Sequence, residues 1–126
     1  MNYYKAMSSS GSPNVDRTME ALNAFVLSVR KVYGQRLVQA VLFGSCSRGD
    51  ERPDSGIDVA VVLDRTDNSA TERNTLSDLT YDVMAETAME IQPWPISEEE
   101  WSNPRCHDNP SLVRAMRRDG TVYALN

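Results

Sequence analysis

Apolar residues recur along this chain at two different periods. Met19, Leu22, Val26, Val29 and Tyr33 stand at helical spacing, with Pro13 at a favourable first position and Gly34 as a stop. They predict a helix over about 13–33 with a core-facing stripe. Leu37 to Phe43 and Ile57 to Leu63 are short, nearly continuous apolar runs. The second is apolar at almost every residue, as in a strand buried on both faces, and Asp58 interrupts it. Ser69-Ala70-Thr71-Glu72 reads as a capping box, and Leu76, Leu79 and Val83 extend a helical face to about Met89. A helix here is the crossover that a neighbouring strand in the same sheet would need. Glu90-Ile91-Gln92 opens that strand, which Pro93 and Pro95 confine to an edge or terminate. Ser97-Glu98-Glu99-Glu100 is a second capping box, for a short turn of helix. Asn109-Pro110 starts a last helix, with Leu112, Val113 and Met116 inward, Arg114, Arg117 and Arg118 outward, and Gly120 as its end. Thr121 to Leu125 adds a short strand. The expected fold is α/β (α+β), a short mixed sheet of three or four strands with helices packed against it.

Composition narrows the class. The 126 residues suit one compact domain, read here as 13–126 behind a flexible polar tail at 1–12. No run approaches a membrane span, and the start carries no apolar segment of signal-peptide type, so the cytoplasm is the default. Two cysteines, Cys46 and Cys106, fit no ligand spacing and read as free thiols. A net charge of −5 does not favour nucleic acid as a direct ligand.

The chemistry concentrates between the two apolar runs. Gly44-Ser45 ends the first, a polar loop follows, and Asp58 opens the second. Gly44 lets the chain turn sharply and brings backbone N–H groups near a ligand, and Ser45 can start a short helix whose N-terminus favours phosphate. A carboxylate at the start of a buried strand can hold a hard cation, or pair with Arg48 or Arg52. A phosphate cradle facing a metal-binding acid is the equipment of phosphoryl or nucleotidyl transfer.

At these residues the chain resembles the minimal nucleotidyltransferase (MNT) domain of the polymerase-beta-type superfamily, antitoxin type. Gly44-Ser45, Arg48-Gly49, Arg52-Pro53-Asp54-Ser55 and Asp58 match that family's Gly-Ser loop and Asp-x-Asp at its spacing. One position departs: Gly56 stands where the first acid belongs. The resemblance implies a nucleotidyltransferase fold and transfer of a nucleoside monophosphate, AMP from ATP, to an acceptor hydroxyl, with magnesium (or manganese) as cofactor. It assigns Gly44, Ser45 and Arg48 to the phosphates and Asp58 to the metal. Glu90 is either the third ligand or general base, or an exposed strand-end acid. Asp54 is a substitute ligand only if the loop bends. The chain leaves no room for a substrate domain, and small MNT proteins are commonly paired with a HEPN-type toxin whose tyrosine they adenylylate, so a protein acceptor is implied.

The missing ligand also implies impaired activity, and with it a second reading: a binding module that neutralises its partner by contact. The outward arginines, Trp94 and Trp101 would then form the interface. His107 is a lone loop histidine, read as a surface residue.

Overall fold

The computed structural model describes residues 2–4, 13–43 and 56–123. The elements are β1 (Asn2–Tyr4), α1 (Pro13–Tyr33), a 3-10 turn (Gly34–Arg36), β2 (Leu37–Phe43), β3 (Ile57–Leu63), α2 (Ser69–Thr87), β4 (Ile91–Ser97), α3 (Glu98–Ser102), a second 3-10 turn (Pro104–Cys106), α4 (Pro110–Asp119) and β5 (Thr121–Tyr123). The strands form one mixed sheet in the order β1-β5-β2-β3-β4. β2 runs antiparallel to β3 and β5; β3 and β4 are parallel, as are β1 and β5. The mixed sheet with packed helices is the expected fold, with one strand more than expected. Asn2–Tyr4, within the stretch read as tail, pairs with Thr121–Tyr123. Two adjacent tyrosines suit a strand, and their pairing covers an otherwise open edge of β5.

Each face of the sheet has its own apolar cluster. Ile57, Val59, Val61 and Leu63 of β3 pack with Leu22, Phe25 and Val29 of α1 and Leu76 and Val83 of α2. Val41, Phe43, Ala60 and Ile96 pack on the other side with Val113 and Met116 of α4. β3 is therefore covered on both faces, and Asp58 is its only residue that is not fully buried.

Helix α2 departs from the sequence reading at its start. Its N-cap is Asn68, not Ser69: the Asn68 side chain accepts from the N–H of Ala70 (3.0 Å) and Thr71 (3.2 Å). An amide one residue earlier reaches both orphan donors, so no Ser69–Glu72 box is needed. Glu72 turns inward instead. It is 6% exposed and accepts from the Tyr33 hydroxyl and from Arg36 Nη2, each at 3.0 Å. Arg36 also bonds Asp64 and lies over the Tyr33 ring, 5.2 Å from its centroid. This network ties the end of α1 to the start of α2 and the end of β3. Glu72→Ala should cost about 2 kcal/mol in a urea melt, because it leaves the Tyr33 hydroxyl and part of Arg36 without their partner. Burial, then the bond to Glu72, pushes the Tyr33 phenol up to about 12. A raised folded-state value means that this stability is present below about pH 10 and is lost as pH rises toward 12.

The remaining caps follow the sequence. Ser97 and Glu100 form a reciprocal capping box, and Asn109 caps α4 ahead of Pro110. Gly120 ends α4 for a steric reason: its backbone is extended, and a Cβ there would lie 2.3 Å from the Met116 carbonyl oxygen and 2.4 Å from Val41 Cγ1. Gly120→Ala should therefore destabilise the fold by about 3 kcal/mol, read as a lower denaturation midpoint with unchanged slope.

Strand β4 runs through both prolines as the sheet's free edge. The Ile57 N–H donates to the Glu90 carbonyl at 2.8 Å, so alternate residues Glu90, Gln92, Trp94 and Ile96 turn their backbone toward β3. Pro93 and Pro95 fall between them and face outward, where a missing N–H breaks no ladder bond and blunts the edge.

Candidate active site

Asp58 sits between two strands. It pairs with Phe43 of β2 on one side and with Gln92 of β4 on the other. Side chains two apart on a strand, and those paired across strands, rise from the same face. Gly56 and Asp58 therefore share a face with Glu90, Gln92 and Trp94. Asp58 is half-buried, and the Trp94 indole Nε1–H donates to its Oδ1 at 3.4 Å. Trp94 is in turn braced edge-on by Phe43, with ring centroids 6.3 Å apart. Among the described residues Asp58 has no cationic partner. Burial raises its pKa above the usual carboxylate value, and the Trp94 hydrogen bond partly opposes this. The carboxylate is thus held at an energetic cost, the condition under which a cation is welcome.

The other candidate residues divide. Gly44, Ser45 and Arg48, with Cys46, Arg52 and Asp54, lie outside the described residues. Phe43, directly before Gly44, pairs with Asp58. Glu90 is exposed just ahead of β4 and aligns with Gly56 rather than with Asp58, since Ile57 pairs with Ile91. Gly56 does not have the left-handed backbone that would demand glycine; among the described glycines only Gly34 does. A Cβ on Gly56 would instead meet the side chain of Gln92, at 3.0 Å from Nε2 and 3.2 Å from Cδ and Cγ. Among the described residues no group of three His, Cys, Asp or Glu side chains is placed to hold a metal. His107 accepts the Asn109 N–H at 2.9 Å through Nδ1, and Arg114, Arg117 and Arg118 are exposed.

Sequence reasoning missed Gln92 and Trp94 as neighbours of Asp58. A strand's period of two puts both on the face of Glu90, but only the register of β4 against β3 sets them beside the carboxylate. A groove of about 440 Å³ opens next to them, between β4 (Glu90, Gln92, Trp94) and α2 (Ser77, Tyr81, Met84). That volume is within the range of small-molecule sites.

An interior strand of the mixed sheet thus opens with a half-buried carboxylate that has no cationic partner among the described residues. The family described as Polymerase beta, Nucleotidyltransferase matches residues 30–94, just over half the chain. The chain belongs to this nucleotidyltransferase family, whose members generally use divalent metals and bind nucleoside triphosphates. Among solved structures it is similar to a Sulfolobus solfataricus protein described as a nucleotidyltransferase. Their TM-score is 0.58 at 17% identity, over 92% of this chain and 90% of that one. That likeness shows the fold. No curated protein matches. No helix among the described residues is long and apolar enough to cross a membrane.

Proposed function

We propose that this protein transfers AMP from ATP to a hydroxyl of a partner protein in the cytoplasm, the partner being of the HEPN type. The observation that carries the reading is Asp58, a half-buried carboxylate without a cationic partner among the described residues, on an interior strand of a family fold built for nucleotidyl transfer. The donors around it are carboxylate and carboxamide oxygens, which suit magnesium or manganese. When bound, the metal would neutralise phosphate charge and activate the acceptor oxygen. Asp58 would hold it, and Gly44, Ser45 and Arg48 would hold the phosphates. The acceptor oxygen attacks the α-phosphorus, the bond to pyrophosphate breaks, and Glu90, exposed on the same face, takes the hydroxyl proton or serves as a further ligand.

A thermal melt tests the first half of this. ATP-magnesium at a hundred times its dissociation constant should stabilise the fold by about 2.7 kcal/mol. An unmoved midpoint at millimolar ligand would rule out a working nucleotide site.

One observation favours a second reading, action by contact alone. Residue 56 offers no ligand, while α4 presents Arg114, Arg117 and Arg118 to solvent with Trp101 packed beneath. Arginine and tryptophan are over-represented in binding hot spots.

A further inference from the structure

We infer that Gln92 supplies the second protein oxygen of the Asp58 cation site, in place of the carboxylate that residue 56 lacks. This deepens the proposed function and rests on its reading of Asp58 as a cation ligand. Three observations meet at Gln92. It is the direct strand partner of Asp58, so the two side chains rise together from one face of the sheet. Its side chain leans over the neighbouring position: Nε2, Cδ and Cγ lie 3.0–3.2 Å from where a Cβ of residue 56 would stand. And the backbone at Gly56 does not require glycine, so what the glycine provides is space, which Gln92 fills. Among the described residues no protein group holds the carboxamide by a hydrogen bond, and its oxygen is free to turn toward a ligand.

A carboxamide oxygen is a hard, neutral donor of the kind that magnesium, manganese and calcium accept. Exchanging a carboxylate for it removes one negative charge from the site. The free cation is then held weakly, and triphosphate oxygens must supply the missing charge. The site therefore takes its metal as the metal–nucleotide complex, and the cation alone binds poorly.

Manganese binding to the full-length chain, followed by electron paramagnetic resonance with and without ATP, tests this directly. Gln92 is exposed on an edge strand, so its variants keep the fold, and circular dichroism melts verify it. Gln92→Glu, the same shape with a charge, should tighten free manganese binding about tenfold or more. Gln92→Ala should weaken manganese–ATP binding by roughly fivefold or more. Asp58→Asn should abolish both. Loss with Asp58→Asn but unchanged affinity in both Gln92 variants would overturn this inference and leave the Asp58 reading standing. Tighter binding in Gln92→Ala would make Gln92 an obstruction and also overturn it. Weaker nucleotide binding in Gln92→Glu would do the same, since it would mean that the carboxamide N–H serves a phosphate. If Asp58→Asn changes nothing, or the native chain binds no manganese at millimolar concentration, both readings fall.

Discussion

Gly56→Asp should raise adenylate transfer a hundredfold or more, roughly. The introduced carboxylate and that of Asp58 would project from the same side of the chain, two residues apart, the arrangement that can share a pair of divalent ions. Each factor of ten in rate corresponds to about 1.4 kcal/mol of barrier, so a ligand worth several kcal/mol to the transition state gives an effect of this size. The structure accepts the new side chain. Residue 56 has no left-handed backbone to strain, and among the described residues the three atoms nearest the Cβ all belong to Gln92, the closest being its terminal Nε2. That side chain is flexible and exposed and can swing toward the groove beside α2. Because the two side chains contend for one volume, Gly56→Asp combined with Gln92→Ala should exceed Gly56→Asp alone. The measurement is labelled adenylate incorporation into the same acceptor, with magnesium and with manganese. Equal, robust transfer by the native and Gly56→Asp chains would show that another acid already serves as the second ligand.

Asp58→Asn should have two opposite effects: loss of nucleotide-dependent stabilisation and transfer, and a gain in intrinsic stability. Burial raises the Asp58 pKa, so the fold favours the protonated acid. The stability tied to that proton is present below the unfolded value and is lost as pH rises through the folded one. At neutral pH the ionised carboxylate is a burden, and the neutral isostere relieves it while still accepting from Trp94. The midpoint without ligand should rise by roughly 2–5 °C, and the ATP-magnesium shift should vanish. A fall in the midpoint would instead assign Asp58 to a structural ion pair, and unchanged transfer by the folded variant would remove it from the site.

Those parts of the fold whose physics is local can be read along the chain. The apolar stripe of α1, the nearly continuous apolar run of β3, the Ser97–Glu100 box, the Asn109-Pro110 start and the glycine stop at 34 are set by neighbours a few residues away. So is the anomaly at the centre of the site, Asp58 in an apolar strand with Gly56 two residues before it. Where competing local signals were equally good, the chain chose through long-range contacts. Asn68 displaced Ser69 as the cap because Glu72 finds Tyr33 and Arg36, two partners more than thirty residues away. Asn2–Tyr4 became a strand because β5, at the other end of the chain, offers an edge. Gly120 is required not by its own φ but by the approach of Val41 and the Met116 carbonyl. The same holds for the site. That Glu90, Gln92 and Trp94 would share a face of a strand follows from its period of two, but that pattern does not say which residue stands opposite which. The register of β4 on β3 decided that Gln92, and not Glu90, is the neighbour of Asp58, and that Trp94 is the side chain that holds it. Register is set by the packing of Ile57, Val59, Val61 and Ile91 against two helices, a property of the assembled core that no segment of the chain carries alone.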